Sequence, residues 1–69
     1  MITAFQPQAS FSIHHFDYDS NRLELRVHYY DGRRKVCSGI APAVAVLLRI
    51  SSRPESVLQA HADSTCREE

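Results

Sequence analysis

The chain has 69 residues, eight basic and eight acidic side chains, an ordinary apolar fraction and two cysteines. That length sets one domain near the lower limit at which a single core offsets the entropy of folding. It excludes a second domain, any apolar run long enough to span a bilayer, and a chain that holds nucleic acid by bulk charge alone. The charge is nevertheless segregated, with +5 between Arg22 and Arg53 and −5 in the flanks. The opening MITAFQPQAS lacks a basic start followed by an apolar run, so no secretory signal is expected and a cytoplasmic location is the default.

Residues 1–8 contain Pro7 and little periodicity, which predicts an irregular lead-in with Phe5 as a hydrophobic anchor. Residues 10–18 predict a first strand. Its apolar residues change phase between Phe11/Ile13 and Phe16/Tyr18, and a bulge at His14-His15 restores one buried face. Asp17, Asp19, Ser20 and Asn21 then supply turn chemistry.

Leu23 to Ile40 is the most informative stretch. Asp31-Gly32 between two β-rich runs predicts a hairpin with a two-residue type I′ turn. In that register Tyr30 pairs with Arg33, Val27 with Val36 and Leu25 with Ser38. Period-2 alternation then puts Leu23, Leu25, Val27, Tyr29, Val36 and Ile40 on the face to be buried, with Arg34 and Ser38 beside them. The opposite face receives Glu24, Arg26, His28, Tyr30, Arg33, Lys35 and Cys37.

Gly39 ends the third strand and Pro42 opens a helix at its first position, where a missing N–H costs nothing. That helix is apolar almost all round. It is expected to pack Val44, Leu47, Leu48 and Ile50 on the sheet, or to share part of its surface with a partner. Ser52-Arg53-Pro54-Glu55 reads as the cap of a second helix, from Pro54 to about Asp63, with Val57, Leu58 and His61 on one face and His61 partly buried. The tail, residues 64–69, should be loose, and Cys37 and Cys66 are read as free thiols. The expected architecture is α+β: a three-stranded antiparallel β-β-β sheet followed by one or two helices on one face, within residues 9–63.

The order of residues resembles the KTSC domain, a small module named for the C-terminus of some lysyl-tRNA synthetases. The resemblance rests on Ser12-Ile13, Asp17-Tyr18-Asp19, Leu25, Val27, Tyr29 and Gly32. It continues in Ile40-Ala41-Pro42-Ala43-Val44, Leu47-Leu48 and Ser52, so that it covers 11–52. Where that family has a central Tyr-x-Tyr this chain has Lys35-Val36-Cys37, and one residue is inserted before Pro42. The resemblance implies a compact α+β module for which RNA binding has been proposed.

Two functions compete. Arg26, His28, Tyr30, Arg33 and Lys35, with Arg22 at the edge, form a basic and aromatic sheet face suited to RNA or another single strand. Cations there neutralise phosphates and rings stack on bases. Alternatively, the helix 42–50 or a sheet edge binds a protein partner or a second copy. No nucleophile–base–orienter signature points to an enzyme, and no cofactor, small-molecule substrate or membrane is expected. His14, His15, His28 and Cys37 are the conceivable metal ligands. Their spacing matches no zinc pattern, and neighbouring histidines in a regular strand face opposite ways, so no metal is expected either.

Overall fold

A computed structural model describes residues 2–8, 12–62 and 65–69. Its elements run β1 (Ile2–Phe5), β2 (Ile13–Asp19), β3 (Glu24–Tyr29), β4 (Arg34–Cys37), α1 (Pro42–Ile50), α2 (Pro54–Ala62) and β5 (Cys66–Glu68). All neighbouring strands are antiparallel, in the spatial order β1-β2-β3-β4-β5. The α+β class and the two helices match expectation, but the sheet has five strands rather than three. Both outlying segments, expected to be irregular, contribute an edge strand. The residues expected to open the first strand, Ser10 and Phe11, lie outside the described residues, as does Asp63 at the expected end of the second helix; β2 is described from Ile13.

The central hairpin forms with a longer turn than expected. Gly32 N–H donates to the Tyr29 carbonyl at 3.1 Å, and Tyr29 N–H donates to the Arg33 carbonyl at 2.9 Å. The loop is therefore Tyr30-Asp31-Gly32, a turn closed by a glycine at φ +90°, the three-residue arrangement in which glycine takes the left-handed position. Asp31 stabilises it by accepting Arg33 N–H and Nε at 3.0 and 2.8 Å. The consequence is a register one residue away from a two-residue turn: Leu25 faces Cys37, Arg26 faces Val36, Val27 faces Lys35 and His28 faces Arg34. A slip of one residue turns every β4 side chain to the other face. Cys37 is thereby fully buried, while Val36, expected on the same face as Leu25 and Val27, lies on the open face between Arg26 and Arg67 in the register yet is buried, at 4% exposed. Long aliphatic arginine stems are suited to shield it there.

The expected bulge is present. The β2–β3 register shifts between Ile13 and His15, so that Ile13, Phe16 and Tyr18 all reach the core despite their odd spacing. Together with Leu25, Val27, Cys37, Ile40, Ala45 and Leu48 they make the buried cluster, with Phe5, Val44, Val57, Leu58 and Cys66 packed against it. Tyr18 donates its phenol proton to the Ile40 carbonyl at 2.7 Å. That bond satisfies a buried polar pair and ties β2 to the segment leading into α1.

Both helices lie on the same face of the sheet, each over a different set of strands. α1 approaches β1 and β2 through Pro42, Ala45, Val46 and Arg49, beside Thr3, Phe5 and Tyr18. α2 lies toward β3, β4 and β5, with Glu55, Leu58 and Gln59 beside Val27, Tyr29, Lys35 and Cys66. The buried side of α1 is Ala45 and Leu48, with Val44 packed against the core; Leu47 and Ile50, expected to pack, are 41% and 57% exposed. His61 is exposed rather than partly buried. At the helix junction the bracing hydroxyl is that of Ser51, which accepts Arg53 N–H at 3.0 Å.

Cys37 and Cys66 form a disulfide, overturning their reading as free thiols. The ladder explains the pairing. Ser38 N–H donates to the Thr65 carbonyl and Glu69 N–H to the Arg34 carbonyl, so alternation makes Cys37 and Cys66 a non-hydrogen-bonded pair, where facing side chains approach most closely. No described helix is long and apolar enough to cross a membrane.

Candidate functional site

The six residues expected to form one basic and aromatic face do not share a surface. Arg26 and His28 lie on the open side of the sheet, away from the helices, and Arg22 stands in the turn before β3. The longer hairpin loop carries Arg33 and Lys35 to the other side, where each cation sits 5.9 Å from the centre of the Tyr29 ring. Tyr30 projects at the loop, 64% exposed, with its ring edge-on to His14 at 5.0 Å. Arg26 and Arg33, like the neighbouring Arg34, are also matched by carboxylates. Arg26 lies 3.6 Å from Glu24 and 3.7 Å from Glu69, Arg34 lies 3.7 Å from Glu69, and Arg33 pairs with Asp31 and with Glu68 at 3.8 Å. Arginines paired in this way attract phosphates less than free ones do.

Two other arrangements take its place, each overlapping a residue set weighed in the sequence but differing from it in membership. The first is on the open face, where His15, Asp17 and His28 meet. His15 faces His28 across β2 and β3, and Asp17 follows His15 two residues along the same strand. The two imidazoles stack at 4.1 Å with planes 9° apart, and both Nε2 atoms address one oxygen, Asp17 Oδ2, at 2.8 Å from His28 and 3.9 Å from His15. The bulge brings in His14, whose Nδ1 lies 2.7 Å from His15 Nδ1. Burial lowers the His15 pKa below the ordinary histidine value; the neighbouring His28 and His14 push the same way, and Asp17 opposes them. The signal for this cluster lay in the bulge: a regular strand would have sent His14 and His15 to opposite faces.

The second arrangement is at the β1 edge. Ile2, Thr3, Ala4 and Phe5 have uncharged side chains, and among the described residues β1 pairs only with β2. Phe5 stacks on Phe16 at 5.1 Å, which aligns the strand. Between β1 and α1 runs a groove of about 200 Å³, mostly apolar, lined by Thr3, Phe5, Tyr18, Pro42, Ala45, Val46 and Arg49. Above it α1 exposes Val46 and Ile50, each more than half accessible, with Leu47 alongside. A strand with one open edge next to an apolar groove and an apolar helix stripe is the layout that accepts an added strand.

Comparison of the chain with protein-family models, with curated proteins and with solved structures finds no match.

Proposed function

We propose that this chain is a non-enzymatic interaction module that self-associates by pairing its β1 edge with the β1 edge of a second copy. The observation that carries the reading is the uncharged edge Ile2–Phe5 beside the apolar groove and the exposed α1 side chains. A two-fold axis normal to the sheet keeps inner and outer faces in register, so facing residues must share parity. Centring the axis on Ala4 puts Ala4 opposite its own copy on the open side, and Thr3 opposite the other copy's Phe5 on the helix side. The two grooves then join along the seam, with an α1 from each copy above it. Four residues of strand bury little area alone, so Val46 and Ile50 must add to the contact, and the expected association is weak, of micromolar order.

KTSC membership belongs to the same proposal. Its supports are the residues already named and the order β2-β3-β4-α1 that runs over them. In that reading Tyr18 of the Asp-Tyr-Asp run is a structural clamp on Ile40 rather than a binding residue. The disulfide favours an oxidising compartment over the cytoplasm that the opening residues suggested, since cytosolic reductants keep most thiols reduced.

The test is sedimentation equilibrium from roughly 10 μM to 1 mM, spanning the weak range expected of a small interface. The native chain should shift from monomer toward dimer mass. Ala4→Lys puts two ammonium groups face to face at the seam without touching the core, and should stay monomeric. A monomer throughout would sink the proposal. Should that monomer bind single-stranded RNA at about 50 mM salt and release it at about 200 mM, the nucleic-acid reading replaces this one.

A further inference from the structure

We infer that His15, Asp17 and His28 form a binding site for a divalent transition-metal ion, Zn²⁺ being the cation best suited to two imidazoles and a carboxylate. Three donor atoms, one from each residue, lie within 4.8 Å of one another. Zinc bonds of about 2.0–2.1 Å in tetrahedral geometry place neighbouring ligand atoms about 3.3 Å apart. The separations of Asp17 Oδ2 from the two Nε2 atoms, 2.8 and 3.9 Å, bracket that value. Side-chain rotation alone therefore closes the site, and the β2–β3 ladder that carries all three residues need not move.

The neighbours suit the chemistry. A histidine that binds metal through one nitrogen usually donates from the other, which fixes the ring and its tautomer. His14 Nδ1, 2.7 Å from His15 Nδ1, is placed to accept that proton and leave the His15 Nε2 lone pair directed toward Asp17. A lone pair facing a carboxylate is a repulsive arrangement that a cation between them converts into two bonds. His28 presents its Nε2 to the same oxygen; for metal to bind there the Nε2 proton passes through solvent to the ring's Nδ1, and the N–H···O contact is replaced by coordinate bonds from His28 Nε2 and Asp17 Oδ2. The three side chains are partly exposed, which gives the ion a route in and leaves its remaining positions to water. Cys37 cannot take part: it is buried on the far face and bonded to Cys66.

The experiment is calorimetric titration of the oxidised protein with zinc sulfate, paired with NMR of the imidazole carbon-bound protons. One ion per chain should bind, and the ring signals of His15 and His28 should move while that of His61, exposed on α2, stays put. Asp17→Asn, which keeps side-chain size, and His28→Ala should each weaken binding by about tenfold or more. His14→Ala, acting through His15, should do so by about tenfold with the stoichiometry unchanged. Val46→Lys, on α1 across the sheet from these residues, should bind as the native chain does, separating this site from the proposed seam. The inference is overturned if the native protein takes up no zinc. It is equally overturned if Asp17→Asn and His28→Ala, shown folded by circular dichroism, bind zinc undiminished.

Discussion

The two edges of the sheet are built on opposite principles. β1 is uncharged and relies on apolar contact, with Phe5 stacked on Phe16 and Ile2 69% exposed. β5 is polar and is held by bonds: the disulfide to β4, ladder bonds at each end, and ion pairs from Glu68 to Arg33 and from Glu69 to Arg26 and Arg34. Charged residues on an edge deter pairing with other chains, and an uncharged edge invites it. One edge is therefore closed chemically and the other left open, which makes β1 the place where this sheet can grow.

The largest expected effect comes from removing the bond that closes β5. The Cys37→Ser/Cys66→Ser double variant frees a loop of 29 residues' separation, and loop entropy puts the cost at about 3.5 kcal/mol. Urea unfolding should show a correspondingly lower midpoint. Hydrogen exchange should show β5 amides losing protection before those of β1, as expected if β5 depends on the covalent link. Equal loss at both edges would break the comparison, because the sheet would then open as one cooperative unit.

Phe5→Ala tests the other edge. Phe5 is half-buried, so truncation should cost about 2 kcal/mol, less than a fully buried phenylalanine, through the lost stack on Phe16 and contact with the core. Exchange protection should fall in β1 and remain in β5. The same variant should lose concentration-dependent dimer mass, since a frayed edge offers no template. Retained dimerisation would place the contact on α1 alone and reduce β1 to a structural edge.

Neither edge strand was legible in the sequence, for different physical reasons. Ile2–Phe5 is too short for periodicity to register, and its stability comes from β2, fifteen residues away in the pairing of Thr3 with Tyr18 and closer at Phe5, not from local propensity. Cys66–Glu68 has the composition of a tail, and it is a strand because Cys66 is bonded to Cys37. The interior was clearer. The phase change between Ile13 and Phe16 announced the bulge, Pro42 the start of α1 and Pro54 that of α2, because each is a local constraint on the backbone. The hairpin shows the limit of such reasoning. Asp31-Gly32 fixed the place of the turn, yet one additional loop residue changed the register and moved Arg33 and Lys35 off the face of Arg26 and His28. The candidate site was thus half visible: the histidines stood out, and their partner Asp17 was absorbed into a turn motif.

The smallest effect sharpens the account of β5. Glu69→Gln removes one charge that Arg26 and Arg34 share and keeps the backbone bond to Arg34. Both guanidinium groups are more than half exposed, so solvent screens the pairs and the loss should be at most about 0.5–1 kcal/mol. The difference between variant and native chain should shrink as salt rises from about 0.05 to 0.5 M, where the Debye length falls to a few ångströms. A salt-independent loss would mean that Glu69 acts through packing. If the variant instead exposes enough of β5 for it to pair with another chain, charge rather than the disulfide is what keeps that edge closed.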